Sequence, residues 1–581
     1  MARANETVAA LLQEYADLLS ITGGEAYKAR VYEKAARSVA GHYADVSTLD
    51  LKELQQIPNV GKSIAEKIIE FYTHSQIEAV EQLRARIPAG VRALTAVPGL
   101  GPKKAMALYE ERHIASLDEL AEAIEAGRLT GMRGFGPKTA ENLLHGIKLA
   151  RASTGRAMID VAIAVADDIV AAISAVPGCL KCAYAGSLRR MRETIGDVDV
   201  LAAARDPKPL MRALVNLDQV AEVIVHGDKK TSVRSTSGLQ VDLRVVPPES
   251  WGAALQYFTG SKDHNVRIRE LAVRKGLKLS EYGLFRVDDN TLIVSETEEE
   301  VYHRLGLAWV PPPLREDRGE VEAALAGTLP EVVTVADIRG DLHTHTNLTD
   351  GVATLSEMVA AAKAHGLAYY AVTDHAKDMP MQRMTDAKML AQREALQAMK
   401  VGRCTLLHGT ELNIGPTGDV DWPAEFLAGF DLCVASVHSH FNQTPAELTE
   451  RFVRACENPY VNIIGHPTTR SIGRREPVEA DWDRIFATAA RTGTAMEINC
   501  FPDRLDLSDE LIVRAKRHGV KFAIDTDAHS TVNLDNLCYG VGMAQRGWLT
   551  RADVINTWPL AQLRSFVAAK RRAATGHAKT K

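Results

Sequence analysis

Cysteine is scarce in this chain of 581 residues: there are seven, spread over the whole length. An odd, small set of this kind excludes a disulfide-built extracellular scaffold. Cys179 and Cys182 form a C-x-x-C, but no second pair follows at zinc-ribbon spacing, so they read as ordinary reduced thiols. Long apolar runs are missing too. Nowhere do about 18 apolar residues stand together, which argues against a membrane-spanning helix. The N-terminal MARANETVAALLQEYADLLS scatters charges through an amphipathic pattern and lacks the apolar core of a signal peptide. A cytoplasmic location is the expectation. Positive charge is also in short supply. Lys and Arg number 69 against 74 Asp and Glu, a formal net charge of -5, and the deficit falls mainly before residue 335. Bulk charge therefore does not advertise phosphate binding, and any nucleic-acid contact has to come from local motifs.

The chain has the composition of a globular protein, 46% hydrophobic and 25% charged, and is long enough for about three to five domains. One short pattern recurs three times before residue 150. Ile57-Pro58-Asn59-Val60-Gly61-Lys62 precedes the helical run SIAEKIIEFY. Val97-Pro98-Gly99-Leu100-Gly101-Pro102-Lys103-Lys104 precedes AMALYEE. Met132-Arg133-Gly134-Phe135-Gly136-Pro137-Lys138 precedes TAENLLHGI. Each predicts a helix-hairpin-helix. The glycines permit positive φ and let a phosphate approach the N–H groups that open the second helix. Gly61, Gly99, Gly101, Gly134 and Gly136, with Lys103 and Lys138 just beyond, are thus expected to grip DNA backbone without reading sequence.

From about residue 155 strands and helices alternate. Asp197 and Asp199 in Gly196-Asp197-Val198-Asp199-Val200 stand two apart on a predicted strand, so they share a face while the valines enter the core. Asp242, in the strand-like LQVDLRVV, can supply a third carboxylate from a neighbouring strand. Clustered carboxylates on rigid strands are what two divalent ions in phosphoryl transfer require. The Pro-rich WVPPPLRED (309–317) and the acidic, Ala-rich stretch after it read as a linker.

Beyond it, short β-rich runs end in or near His, Asp or Glu: DLHTH, YYAVTDH, LLHGTELNI, LCVASVHSH, VNIIGHP, AMEINC and KFAIDTDAH. Repeated βα units with polar strand ends predict a barrel-like α/β domain with its site at the C-terminal rim. His343, His345, Asp350, His375, Glu411, His438, His466, Asp527 and His529 are the candidate ligands. Imidazoles mixed with carboxylates suit zinc, manganese or iron.

Gly186-Ser187-Leu188-Arg189-Arg190, the Asp-Val-Asp that follows, and Tyr257-Phe258-Thr259-Gly260-Ser261 together resemble the family X DNA polymerases of the nucleotidyltransferase superfamily. The resemblance implies Asp197, Asp199 and Asp242 as ligands of two Mg or Mn ions. It implies Ser187, Arg190 and Gly196 at the triphosphate, Tyr257, Phe258 and Gly260 at the sugar, and Asn265 at the nascent base pair. Arg244 follows the third Asp as in relatives. Gln240 stands where vertebrate relatives often carry Arg, and Lys262 where they carry Asp. The first residues resemble the family's lyase domain, with Lys28, Tyr32 and Lys34 in YKARVYEKAA. Lys67 matches the lysine that forms a Schiff base with an abasic sugar, although Ser63 replaces a nearby basic residue.

The histidine-rich half resembles the PHP (polymerase and histidinol phosphatase) family, which implies a (β/α)7 barrel with up to three Mn, Zn or Fe ions. By that resemblance His343, His345, Glu411 and Asp527 hold one ion, Glu411, His438 and His466 surround a second, and Asp350, His375 and His529 hold the third. His440 is expected behind the ligands. Arg470, Arg474 and Arg504 are candidates for DNA phosphate contacts.

The resulting expectation is a multidomain chain: a lyase-like helical domain over 1–85, helix-hairpin-helix fingers over 86–152, and an α+β nucleotidyltransferase palm over 153–250. A nucleotide-selecting thumb over 251–317, a linker over 318–335 and a PHP barrel over 336–575 complete it. The implied function is a gap-filling repair polymerase acting on gapped or nicked DNA and dNTPs, associated with the nucleoid. Its phosphoesterase would be a Mn-dependent 3′-5′ exonuclease, 3′-phosphatase or abasic endonuclease. The alternatives are a polymerase tethered to a small-molecule phosphatase, and a DNA-binding scaffold with idle metal sites.

Overall fold

The computed structural model describes the chain except residues 1, 22–25, 43, 88, 96, 98–99, 130, 133, 137, 141–142, 145, 148–154, 380–383, 400 and 578–581. The N-terminal part is helical, and four of its helices carry the argument: α1 (Ala2–Ile21), α2 (Ala26–Ala40), α3 (Lys62–His74) and α4 (Pro102–Arg112). Apolar residues at three- and four-residue spacing, such as Val8, Leu12 and Ile64, Ile68, turn inward. They join one continuous core that runs from Val8 to Ile147, so the two expected N-terminal domains share a single interior.

Helix α5 (Ile159–Ser174) then packs Ile159, Ala162, Ala166, Ile169 and Ile173 into the core beneath a five-stranded sheet. Its strands are β1 (Lys181–Tyr184), β2 (Asp197–Ala203), β3 (Val220–His226), β4 (Lys230–Ser235) and β5 (Gln240–Val246), in the order β1-β2-β5-β4-β3. Only β2 and β5 run parallel, and their register sets Asp199 opposite Asp242. The alternation read from the sequence holds: Val198 and Val200 are buried while Asp197 faces solvent.

Helices α6 (Trp251–Thr259) and α7 (Lys262–Arg274) lead into a three-stranded antiparallel sheet of β6 (Leu277–Ser280), β7 (Gly283–Arg286) and β8 (Leu292–Val294). The stretch expected to be a linker is packed instead. It forms helix α8 (Glu320–Ala326), and the side chain of Glu320 is fully buried, accepting a 2.6 Å bond from His264 Nδ1. Just before it Arg315 is buried as well, donating to Val310 O at 2.8 Å and to Glu298 at 2.7 Å. Buried charges are tolerated only when paired, so these contacts pin the segment to the body. Alanine richness and proline, taken as linker signals, here serve a short helix and its approach.

The C-terminal part is a parallel barrel of seven strands in sequential order: β9 (Gly340–Asp341), β10 (Tyr369–Val372), β11 (Thr405–Asn413), β12 (Leu432–Ser436), β13 (Ile463–Ile464), β14 (Ala495–Asn499) and β15 (Phe522–Asp525). A parallel bridge between Thr344 and Ala528 draws the first and last strands together, and His345 N donates to Ala528 O at 2.8 Å. Helices α9 (Leu537–Arg546) and α10 (Leu560–His577) pack outside. All seven cysteines are free, and among the described residues no helix is long and apolar enough to cross a membrane.

Candidate metal centres and nucleic-acid contacts

The short helix Gly186–Arg189 abuts β2 so closely that a Cβ on Gly186 would lie 2.3 Å from Asp199 Oδ2. Gly186 also has φ +61°, so glycine is required on both counts. Asp197, Asp199 and Asp242 bring ligand atoms within 4.8 Å of one another. Burial, and then the negative charges of Asp197 and Asp242, raise the Asp199 pKa to about 6. Burial acts the same way on Asp242, but hydrogen bonds from Lys230, Ser232 and Gln240 outweigh it and hold that pKa down. Lys230 Nζ lies 2.5 Å from Asp242 and Gln240 Nε2 donates to it at 3.0 Å. Three crowded carboxylates facing Lys230 and Arg244 remain short of positive charge, which fits divalent cations.

The other expected residues of this site lie around that triad. Arg190 donates from Nε to Glu316 at 3.1 Å and from Nη1 to Thr259 O at 2.6 Å, so its guanidinium is held in place. Gly260, at φ +72°, passes against it: a Cβ there would sit 3.1 Å from Arg190 Nη1. The rings of Tyr257 and Phe258 meet edge to face at 5.2 Å, and Arg244 lies over Phe258 at 4.7 Å. Asn265 is engaged within the protein, donating to Tyr257 O and accepting from Gln256 Nε2, both at 2.7 Å. Ser187, within the short helix, and Gly196, just before β2, are both half-buried.

At the barrel rim all nine expected histidines and carboxylates converge. Glu411 is the hub. Its oxygens lie 2.8 Å from His375 Nδ1, 3.0 Å from His438, 2.9 Å from His466, 3.5 Å from His343 and 3.6 Å from His345. Asp527 sits 3.2 Å from His345 and 3.5 Å from His343, while Asp350 lies 3.2 Å from His375 and 3.4 Å from His529. Ligand atoms group as His345, Asp350, His375 and His529; as His343, His345 and Asp527; and as His375, Glu411 and His438. These groups share His345 and His375, a different division from the one the resemblance implied. Burial opposes charge on Glu411, yet His438, His375 and His343 hold its pKa well below the usual carboxylate range.

The residues fit metal ions on a direct observation. His345 Nδ1, Asp350 Oδ1 and His466 Nδ1 are buried with no hydrogen-bond partner, and the Nε2 atoms of His343 and His345 face each other at 3.2 Å. Orphaned buried lone pairs are costly, and a cation relieves them.

A second tier orients the ligands, and sequence reading did not single it out. Glu497 accepts from His343 Nδ1 at 2.6 Å, Asn413 contacts His438 Nδ1 at 2.8 Å, and Asn499 donates to Asp527 at 3.0 Å. Asp374 accepts from Thr346 N at 2.9 Å, Thr349 Oγ1 at 2.5 Å and Gln392 Nε2 at 2.5 Å, tying one rim loop to the helix Asp386–Ala398. Glu497 stands in AMEINC and Asp374 in YYAVTDH, both polar strand ends within the runs already noted. His440 is not behind the ligands: it is exposed, its ring Nδ1 lies 3.0 Å from its neighbour Ser439 Oγ, and its main-chain oxygen accepts from Arg451. Arg470 is buried and donates to Arg504 O, Leu505 O and Glu193, so it is a structural tie and not a free phosphate contact. Arg474 is exposed, and Arg504 lies where Asp527 and Glu411 act on its charge.

In the helical part, Gly61 caps α3 and Gly101 caps α4 without a side-chain bond, and nothing lies within 4 Å of a Cβ built on either. In the first hairpin the left-handed residue is Asn59, φ +64°, and not the glycine. Gly134 has φ +89°, Gly136 is exposed, and Lys103 and Lys138 are exposed at their helix starts. Lys104 lies over Phe135 at 5.8 Å, joining the second and third hairpins. Gly99 lies outside the described residues. Lys67 has its Nζ 3.4 Å from Ser63 Oγ and 6.0 Å from the centre of the Tyr15 ring.

Comparison with known proteins places names on these parts. Family models match at residues 3–77 (helix-hairpin-helix domain), 91–149 (SAM-like helix-hairpin-helix tandem), 254–316 (DNA polymerase beta thumb) and 341–500 (PHP domain). The chain is 34% identical over 563 residues to the DNA polymerase/3′-5′ exonuclease PolX of Bacillus subtilis (strain 168), covering 96% of this chain and 98% of that protein. It is 26% identical over 323 residues to DNA polymerase lambda of Rattus norvegicus, covering 50% of this chain and 53% of the relative. It is 28% identical over 253 residues to a protein of Thermoanaerobacter sp. (strain X514) named "Probable phosphatase", covering 41% of this chain and 97% of that one.

Proposed function

Because the chain belongs to the family X DNA polymerases that carry a C-terminal PHP domain, we propose that it fills gaps in damaged DNA and trims or cleans 3′ ends at a second, separate site. The observation that carries this reading is the pair of independent ligand clusters: three carboxylates on β2 and β5, and at the barrel rim eight grouped residues with His466 joined to them through Glu411. In this reading Asp197, Asp199 and Asp242 hold two Mg or Mn ions. Those ions supply activation of the primer 3′-hydroxyl and neutralisation of charge on the leaving pyrophosphate. Arg190, fixed by Glu316 and Thr259, binds the triphosphate with Ser187 and Gly196. Tyr257 and Phe258 form the wall that selects the sugar, and Gly260 lets the chain pass close to Arg190. Asn265 meets the nascent base pair by exchanging a partner within the α6–α7 network. The hairpins at Gly61, Gly99, Gly101, Gly134 and Gly136, with Lys103 and Lys138, grip DNA backbone. The location is the cytoplasm, at the nucleoid.

At the rim, His343, His345, Asp350, His375, Glu411, His438, His466, Asp527 and His529 hold up to three ions, of which Mn is the working metal, with Zn or Fe as the alternatives. Glu497 keeps the His343 Nδ1 protonated, so its Nε2 lone pair faces the cluster. The activity is 3′-5′ exonuclease, extending to 3′-phosphatase or abasic-site cleavage. Abasic-sugar lyase chemistry is assigned to Lys67; trapping of a Schiff base by borohydride, absent in Lys67→Ala, tests it.

The deciding experiment is primer extension on gapped DNA with manganese, with and without nucleotides. Extension with nucleotides and 3′ shortening without them is expected. The likeness to a phosphatase over 97% of that protein's length favours one second reading, a rim site acting on small phosphomonoesters. Hydrolysis of a free phosphomonoester with no shortening of any 3′ end would establish it.

A further inference from the structure

The four residues Arg190–Glu193 follow the short helix Gly186–Arg189 and lead through the two-residue strand Thr194–Ile195 into β2, which opens with Asp197 and Asp199, and the PHP domain holds them at three points. Arg546, at the end of α9, donates from Nη1 to the main-chain oxygen of Arg190 at 2.9 Å. The same Nη1 reaches Glu316 Oε1 at 2.8 Å, and that oxygen also accepts from Arg190 Nε at 3.1 Å. Both the backbone and the side chain of Arg190 are thus tied to one PHP arginine, directly and through Glu316.

One turn earlier on α9, Gly542 makes room for the next loop residue. A Cβ on Gly542 would stand 2.5 Å from Met191 Cε and 3.0 Å from Met191 Cβ, and Met191 itself is held at φ +56°. Arg470, from the loop after β13, donates to Glu193 at 2.7 Å while anchored on Arg504 O and Leu505 O. Arg546 is in turn braced. It is 3% exposed, and its Nη2 donates to Asp509 at 2.7 Å, a carboxylate that also takes Arg318 at 3.0 Å. A mere docking surface would spread its contacts. Here charge-assisted bonds and a steric notch converge on the loop between the two halves of the nucleotidyl-transfer motif.

We propose that the PHP domain completes the polymerase's nucleotide site: Arg546, with Gly542 and Arg470, positions the loop Arg190–Glu193 so that Arg190 meets the incoming triphosphate. Arg546 is a positioning residue, acting through Arg190 and Glu316 without touching substrate. The inference rests on the reading of Arg190 as a triphosphate ligand. The barrel therefore serves two reactions, its rim for hydrolysis and its outer helix α9 for nucleotide addition.

The test uses the full chain on single-nucleotide gapped DNA. In Arg546→Gln the KM for the incoming nucleotide should rise about tenfold, the loss of one charge-assisted bond, with a much smaller change in kcat. Affinity for the gapped DNA and manganese-dependent hydrolysis of bis-p-nitrophenyl phosphate should stay at the unmodified level. Arg546→Lys, which keeps a charge towards Glu316, should recover most of the KM. Because Arg546 is buried, Glu193→Gln provides a milder variant at a half-buried position, with an expected KM rise of about threefold. An unchanged KM in both folded variants overturns the proposal. So does a parallel fall of kcat, DNA affinity and phosphoesterase activity, which would make the contacts a fold support alone. Arg190→Lys separates the two levels. If it raises KM while Arg546→Gln does not, the PHP clamp fails and the triphosphate reading stands. If Arg190→Lys leaves KM unchanged, the triphosphate reading fails and the proposal with it.

Discussion

The two acidic clusters answer the same need for cations in opposite ways. On β2 and β5 three carboxylates converge at a surface where Asp197 is exposed, and Lys230 supplies part of the missing positive charge to Asp242. At the barrel rim nine residues, most of them buried, compensate one another through histidine–carboxylate pairs, and Glu497, Asn413 and Asn499 hold those in turn. An open site with few fixed partners is suited to cations that arrive with a nucleotide. A closed site with an oriented second tier is suited to cations that stay through many turnovers.

The largest effect should come from removing one ligand on each side. Asp199→Ala should lower nucleotide addition by about three orders of magnitude and spare phosphoesterase activity, and His343→Ala should do the reverse. Extension and 3′-shortening assays on the same DNA check both, and loss of both activities from either change would remove the separation altogether. Next in size, Glu497→Gln should weaken manganese binding at the rim by about 10- to 100-fold while leaving extension intact. Calorimetric titration with manganese reads it, and unchanged affinity would mean that the second tier does not orient His343.

Away from both clusters, the polymerase half has an acid-sensitive group of its own. Burial opposes charge on Glu298, but Arg315 and Arg189 outweigh it and pull its pKa from 4.5 to about 2. The stabilisation is present above the unfolded value and is lost as pH falls from 4.5 through about 2. By linkage it amounts to about 3 kcal/mol at neutral pH. Glu298→Gln should remove it and flatten the acid limb, as followed by thermal unfolding between pH 2 and 7. The smallest expected change is at the hairpins. Lys103→Ala should weaken gapped-DNA binding modestly and reduce the slope of log affinity against log salt by about 1. An unchanged slope would leave Lys103 as a solvated surface charge.

Much of this was legible in the chain itself because the signals were local. The Asp-x-Asp spacing needs only strand alternation to bring Asp197 and Asp199 to one face, and the strand-end histidines need only repeated βα units to reach one rim. Signals that depend on a distant partner were read less well. Arg470 looked like a free cation until its carbonyl partners and Glu193 were in place. His440 follows a ligand by two residues, yet it turns outward at φ +55°. The stretch 318–335 has the composition of a linker, and only the buried His264–Glu320 pair shows why it is ordered.

By itself, then, the sequence determined the order of the parts, the strand and helix periodicities, and the candidate ligands that converge at each cluster, because each depends on neighbours within a few residues. The tertiary structure decided which candidate ligands stand together and which charged residues brace others. It also decided that the PHP domain grips the loop after Arg190. These follow from contacts between residues up to 356 positions apart, such as Arg190 and Arg546, whose pairing only the packed chain can arrange.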